Sequence, residues 1–268
     1  VKEDLILVSG MRVREHIEPL GNMDRFVVSM KKQVYLPITT VVFETRPEMM
    51  GRIQRIAEWH RKWFCFDREV IISDVDPNIE GMTWINCGQV PPRHMLRAWY
   101  SDMCVHGFNS LCQSQYLLVW QWDGFIINPQ LWTEEFMKWD YIGAPHGDWW
   151  RRVAAVLKTH NPKWENPFSV PGQEWISGNG GFSLRSKKFL SICDGLSRGG
   201  PTSEDEDMFL CVEKRKEIED KGAKFCPAIL ARKFSTDIEV MSRSFGFHSA
   251  YHLRDAKDYL ERCYISNQ

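Results

Sequence analysis

Residues 38–74 read ITTVVFETRPEMMGRIQRIAEWHRKWFCFDREVIISD, and this stretch decides the fold. Residues 38–45 are β-branched and apolar, which fits a strand buried on both faces. Pro47 suits the first turn of a helix, where its missing N–H is no loss. Met50, Ile53, Ile56, Trp59 and Trp63 then recur at helical spacing and fall roughly on one face. REVIISD reads as a second buried strand ending near Asp74. A strand, a helix and a strand in this length make a β–α–β unit, whose strands run parallel with a right-handed crossover.

Working outward, MTWINCG is a third strand and RHMLRAWYSDMCVHGFNSLC a second helix. QYLLVWQWDGFIINP, residues 115–129, reads as one long apolar strand interrupted by a single acid, Asp123. TEEFMKWDYIGAP is a short helix with a strand-like tail. ISGNGGFSLRSKKFLSIC reads as strand, turn and helix, with Ser183 to Arg185 opening the helix. SEDEDMFLCVEKRKEIEDKG is an acidic turn and a helix, CPAILARKFS a strand, and FGFHSAYHL a terminal segment bearing His248. Alternating strands and helices predict a layered α/β domain over residues 36–268. Residues 1–35 read as an extension, with a strand in DLILVS, charged irregular sequence, and a second strand in RFVVSM. Residues 146–174 have little periodicity and hold Trp149, Trp150 and Trp164. A long loop of this kind inside a compact domain is usually functional.

The composition narrows the classes. With 268 residues, 43% apolar and 26% charged, the chain suits one globular domain. A formal net charge of -1 gives no sign of a polyanionic partner, and the local cluster of Arg151, Arg152 and Lys158 reads as solvated surface. The 8 cysteines include no C-x-x-C pair, so buried free thiols in a reducing cytoplasm are expected rather than a zinc or redox site. The sequence has no signal-peptide pattern and no apolar run long enough to span a bilayer. The 12 tryptophans serve cores, and they also serve sugar or base stacking.

Four places carry chemistry. Asp123 ends an apolar run; it holds a cation, or it caps the turn before Gly124. Gly178, Gly180 and Gly181 in ISGNGGFS permit backbone geometries closed to other residues; they admit a ligand, or they make a packed turn. The spacing does not match the dinucleotide G-x-G-x-x-G. In TSEDEDMFLC four consecutive acids precede a helix; they complement its dipole, or one is a general base. His248, between aromatics, is a structural hydrogen-bonder or a ligand for a Mn-like ion.

The order of these motifs resembles the GT-A glycosyltransferases. It is most similar to a bacterial and viral glycosyltransferase-like domain family of unknown function. The resemblance rests on Gln121-Trp122-Asp123, on DYIGAP from Asp140 to Pro145, on GNGGFSLRS from Gly178 to Ser186, on Glu206-Asp207, and on Gly246-Phe247-His248. It covers roughly residues 38–252.

That resemblance implies a Rossmann-like mixed sheet, mostly parallel, flanked by helices. It implies a nucleotide-sugar donor, a UDP-sugar first, and Mn²⁺ or Mg²⁺ as cofactor. Phe43, Glu44, Thr45 and Arg46 would meet the nucleoside, and Asp74 the base or ribose. The early D-x-D of Asp74 and Asp76 is rejected as the metal motif. Gln121 stands where the usual metal motif has its first acid, so Asp123 and His248 would be the two protein ligands, with Gln121 and Trp122 beside the donor. Gly180 and Gly181 would let the backbone approach the sugar. Asp207 would be the general base, with Glu206 as the alternative, and in-line attack would invert the anomeric centre. Trp149, Trp150 and Trp164 would close over the donor. The acceptor is a hydroxyl, of a glycan or of a hydroxymethylated base in phage DNA, and the near-neutral charge weighs against DNA. A nucleotidyltransferase and an inactive sugar- or nucleotide-binding module are the alternatives. A cytoplasmic location is expected.

Overall fold

The computed structural model describes residues 5–8, 11–14, 33–146, 176–197, 205–237 and 243–249. A short antiparallel pair, β1 (Leu5–Val8) and β2 (Met11–Arg14), comes first. The second of these was expected to be irregular; its alternating Met-Arg-Val-Arg pairs with β1 instead. RFVVSM lies outside the described residues.

The domain begins with the β–α–β unit. Strand β3 (Val34–Phe43) leads through a 3₁₀ turn at Pro47–Met49 into helix α1 (Met50–Arg61), and the chain returns in β4 (Phe64–Ser73), parallel to β3. Then follow β5 (Thr83–Asn86), α2 (Arg93–Asp102), a π turn at Met103–Gly107, the short α3 (Phe108–Leu111) and β6 (Tyr116–Trp120). After β7 (Tyr141–Gly143), the small pair β8 (Pro145–His146) and β9 (Ile176–Ser177) flanks residues outside the described set, which include Trp149, Trp150, Arg151, Arg152, Lys158 and Trp164. The rest is β10 (Ser183–Ser186), α4 (Lys187–Asp194), α5 (Glu206–Met208) with a π turn at Phe209–Glu213, α6 (Arg215–Asp220), α7 (Ala228–Phe234), β11 (Ser235–Thr236) and β12 (Gly246–Phe247).

The architecture is the expected α/β one. Six strands form a mixed, mostly parallel sheet in the order β5-β4-β3-β6-β10-β7, with β10 antiparallel to both neighbours. Side-chain alternation explains the two covered faces. Ile38, Val42, Ile71, Leu118, Trp120 and Leu184 pack with Ile53, Ile56 and Ala57 of α1 and with Ala231 and Phe234 of α7. Val41, Val70, Ile72, Leu117 and Val119 point the other way, onto Cys104, Phe108 and Leu190. Among the described residues no helix is long and apolar enough to cross a membrane. The seven described cysteines are free, and five of them are buried.

Three segments differ from their expected form. QYLLVWQWDGFIINP is not one strand: the chain leaves the sheet at Trp120 and turns tightly, Gln121 and Gly124 exchanging backbone hydrogen bonds of 2.7 and 3.1 Å. Beyond the turn, α1 replaces the sheet as partner for Ile126. Its N–H donates to His60 Nε2 at 3.1 Å, and its C=O accepts from Trp59 Nε1 at 2.8 Å. Ser183 to Arg185 form strand β10 rather than a helix start, because the helix begins only at Lys187, where Ser186 Oγ caps it by accepting from Phe189 N–H at 3.0 Å. Most of CPAILARKFS is helical, because Pro227 sets the entry and Ala231 and Phe234 share a buried face.

The strand order fixes where a ligand belongs. The chain runs outward from β3 to β4 and β5, then crosses back to β6 on the other side of β3. In open sheets of this kind ligands bind beyond the carboxyl ends of the strands, at the point where the order reverses. Here that point lies between the ends of β3 and β6, at Phe43 and Trp120.

His60 locks the turn beyond that point. Burial, with Arg61 nearby, pushes its pKa down to about 3, so the folded state holds a neutral ring that accepts from Ile126. An unfolded imidazole titrates near ~6.5. Below that pH the unfolded chain binds the extra proton, so stability is full above it and falls as pH drops toward the folded value. His60→Gln keeps an acceptor and removes the titration. Urea unfolding from pH 7 to pH 5 should show the wild type losing stability relative to this variant. The slope should approach about 1.4 kcal/mol per pH unit at the acid end. A difference that does not change with pH would contradict the account.

Candidate active site

Three elements meet beyond β3 and β6. The turn after β6 carries Gln121, Trp122 and Asp123. The segment from Gly178 to Gly181 precedes β10. The segment after β12 brings in His248. Backbone bonds clamp the first to the last: Phe247 N–H donates to Phe125 O at 3.3 Å and Ser249 N–H to Asp123 O at 2.9 Å. Ser249 takes φ 138°, a region a non-glycine residue rarely occupies, immediately after the histidine. Strain of this kind persists where the surroundings hold it, commonly at functional sites.

The clamp brings Gln121, Asp123 and His248 together. His248 Nε2 lies 3.0 Å from Gln121 Oε1 and 3.8 Å from Asp123 Oδ1. Gln121 Nε2 donates to Tyr100 OH at 2.9 Å, which turns its oxygen toward the imidazole. Among the described residues Asp123 Oδ1 is buried without a hydrogen-bond partner, a costly condition that a ligand would relieve. A carboxylate oxygen, an imidazole nitrogen and an amide oxygen form a donor set that suits a Mn²⁺- or Mg²⁺-like ion. The protein's share of such a site is small: no group of three or more His, Cys, Asp or Glu side chains converges among the described residues.

The glycines are needed for space rather than for conformation, which corrects the expectation. Neither Gly180 nor Gly181 has a positive φ. A Cβ on Gly181 would lie 2.1 Å from His248 Nε2, and one on Gly180 2.1 Å from Glu206 Oε1. The first glycine thus seats the acidic pair and the second seats the histidine. Tyr141 OH bonds the Gly178 and Asn179 carbonyls at 2.9 and 3.2 Å, and Asn179 Oδ1 accepts from Gly181 N–H at 3.0 Å.

The acids divide the work. Asp205 pairs with Arg97 of α2. Glu206 is buried and faces Arg185, Nη2 to Oε1 at 3.3 Å. Asp207 keeps partial exposure, and its carboxylate accepts from Gly180 N–H at 3.3 Å and Met208 N–H at 2.7 Å. Both Glu206 and Asp207 are raised above the usual carboxylate range. Burial is the main cause, followed by the Asp207 charge for Glu206 and the Asp205 charge for Asp207. A raised carboxylate is a better proton acceptor, as a general base requires.

Sequence reasoning missed Arg185, which is fully buried. Its guanidinium donates to Ser183 Oγ at 3.1 Å, Cys104 O at 3.4 Å, Gly180 O at 3.5 Å and Glu206, and lies within 6 Å of the Phe108 and Tyr141 rings, at 5.7 and 5.6 Å. The π turn at Met103–Gly107 supplies the Cys104 carbonyl. Nothing in SLRS itself, two serines and an arginine around one leucine, marks the arginine as buried; its partners elsewhere in the chain do.

The residues expected at the nucleoside line the end of β3. Phe43 packs edge-on against Trp99, centroids 5.3 Å apart. Buried Glu44 grips Arg46 through Nε at 2.8 Å and Nη2 at 2.6 Å, and Arg46 lies over the Trp122 ring at 5.0 Å. Thr45 is half-buried between them. Asp74 follows β4 on the same edge of the sheet and is partly exposed. Asp76 Oδ1 accepts from Asn78 N–H at 2.8 Å and so closes its own turn.

A family model described as "Protein of unknown function (DUF5672)" matches residues 97–248, more than half of the chain. The matched span runs from Arg97 to His248 and takes in the whole constellation of Gln121, Asp123, the glycine turn and the acids. No curated protein matches the chain. Among solved structures, one described as a glycosyltransferase involved in the glycosylation of the major capsid of PBCV-1 aligns at 12% identity, covering 84% of this chain and 98% of that one, with a TM-score of 0.41.

The buried pair can be tested by a double-mutant cycle. Glu206→Leu strands the Arg185 guanidinium and should cost about 3–5 kcal/mol in urea unfolding, and Arg185→Met alone is the other single variant. Replacing both, as Arg185→Met with Glu206→Leu, should cost less than the single change, because no charge is then left buried alone. Additive costs would show that the two side chains do not act as a pair.

Proposed function

The chain belongs to this family of proteins of unknown function, and we propose that it is a glycosyltransferase that moves a sugar from a nucleotide-sugar donor to a hydroxyl acceptor. One observation carries the reading. Two consecutive glycines at the switch point of the sheet seat His248 on one side and the Glu206–Asp207 pair on the other. A cation-ready pair, Asp123 and His248, therefore lies next to a raised carboxylate, and the two are joined by one peptide unit. A group-transfer reaction that expels a diphosphate and takes a proton from a hydroxyl needs this combination.

In this reading the donor diphosphate lies against Asp123 and His248. A divalent ion held there would supply Lewis-acid stabilisation of the leaving diphosphate. The acceptor oxygen attacks the anomeric carbon as the bond to the diphosphate breaks. That bond's electron pair leaves with the nucleoside diphosphate, and the hydroxyl proton goes to Asp207. Attack in line with the leaving group inverts the anomeric centre. Glu206, tied to Arg185, positions Asp207 and takes no proton from the acceptor. Phe43, Glu44, Thr45, Arg46 and Asp74 border the nucleoside, with a UDP-sugar the first donor to examine. The hydroxyl belongs to a glycan or to a modified nucleobase, and the acceptor arm of the assay distinguishes these.

The test is a donor screen with Mn²⁺ or Mg²⁺, in which released nucleotide is followed by mass spectrometry with and without acceptors. One donor should be turned over, and chelation should abolish turnover. Asp207→Asn should lower turnover by about 10²–10⁴-fold, the range of general-base contributions, while donor affinity stays within a few-fold. Release of pyrophosphate from nucleoside triphosphates instead would mark a nucleotidyltransferase. Full turnover in Asp207→Asn would remove the residue from the chemistry.

A further inference from the structure

Arg52 of α1 has no part in the reading so far. Its Nε donates to the Trp122 carbonyl at 2.8 Å, and its guanidinium lies 5.8 Å from the centre of the Trp122 ring. The side chain is half-buried, and burial lowers its pKa while the Asp123 charge raises it. Its two terminal nitrogens make no hydrogen bond and no ion pair among the described residues. Arg46, on the same ring, is different: two of its nitrogens already bind Glu44. A guanidinium fixed by its inner nitrogen, with its outer fork free, presents two parallel donors at a set angle. That geometry matches the paired oxygens of a phosphate better than a mobile lysine would.

We propose that Arg52, fixed to the Trp122 carbonyl of the Gln121–Asp123 turn, binds the phosphate oxygens of the donor's leaving diphosphate. The assignment rests on the nucleotide-sugar reading and adds a residue to it. The chemistry of the turn gives the reason. Gln121 is neutral, so the turn brings one carboxylate, Asp123, rather than two to the diphosphate. Less negative charge then faces the phosphates, and a second cation fixed in the protein can share in neutralising them. The free fork of Arg52 is placed to do so, and it acts whether or not a metal is bound.

The test is calorimetric binding of uridine, UMP and UDP (and of the guanosine, adenosine, cytidine and thymidine series) with Mn²⁺ and again with EDTA. The wild type should bind a diphosphate more tightly than its nucleoside. Arg52→Ala should weaken the diphosphate by about 10–100-fold, the range for charge-assisted bonds, and leave the nucleoside within about two-fold. That loss should appear with and without metal. Arg52→Gln keeps one donor toward the Trp122 carbonyl, so it controls for collapse of the turn and should lose the diphosphate preference as Arg52→Ala does. Equal weakening of nucleoside and diphosphate would make Arg52 a clip for the turn and overturn the assignment, leaving the nucleotide reading intact. Binding of no diphosphate by folded wild type would overturn both.

Discussion

A fully buried arginine organises this site. Arg185 sits on the antiparallel strand β10 with its guanidinium on the face of the sheet that α2 and α3 cover. A buried charge is tolerated only when hydrogen bonds and an opposite charge surround it. Here the partners come from four places: the side chain of its own strand, the π turn after α2, the glycine turn and the acidic helix. Satisfying one guanidinium therefore fixes the relative positions of elements far apart in sequence, Cys104, Gly180 and Glu206 among them. The glycine turn then has one orientation, and what rests on it, Asp207 and His248, is fixed with it.

The same logic explains why the acids are not equivalent. Glu206 is spent on Arg185 and Asp205 on Arg97, whereas Asp207 accepts from the backbone of the glycine turn and remains partly exposed. Burial first, and then the neighbouring Asp205 charge, raises the proton affinity of Asp207. On the other flank, the turn after β6 is clamped from three directions: by Tyr100 through Gln121, by Arg52 through the Trp122 carbonyl, and by Ser249 through the Asp123 carbonyl. A short turn held so firmly can keep Asp123 Oδ1 buried without a hydrogen-bond partner among the described residues, which a loose loop would relax.

Much of this was legible in the sequence where periodicity was strong. The β3–α1–β4 unit followed from β-branched runs and the helical spacing of Ile53, Ile56 and Trp59. The grouping of Gln121, Asp123, His248, Gly180, Gly181, Glu206 and Asp207 followed from the order of motifs. What periodicity does not encode was misread. FIIN looks like more of the strand before it, but its backbone leaves the sheet for Trp59 and His60 of α1 and for Phe245 and Phe247, partners far away in sequence. SLRS reads as the opening of the helix that follows it and is a strand instead. Two of the partners of Arg185 lie 81 residues before it and 21 after it, beyond the reach of any local pattern. Of the two readings of the glycines, special backbone and packed turn, the packing is what the neighbours require: Gly180 and Gly181 have no positive φ, and the imidazole and the carboxylate packed on them leave no room for a Cβ.

The central proposal is that Asp123, held by the clamped turn after β6, and His248, seated on the glycine turn, make a cation-binding pair beside the donor diphosphate. The most direct measurement is a crystal structure with Mn²⁺ and a nucleoside diphosphate, with data collected at the manganese absorption edge. The account predicts an anomalous peak bonded to Asp123 Oδ1 and to His248, with diphosphate oxygens completing its shell. A diphosphate bound at the ends of β3 and β6 with the manganese elsewhere, or with none bound, would contradict it.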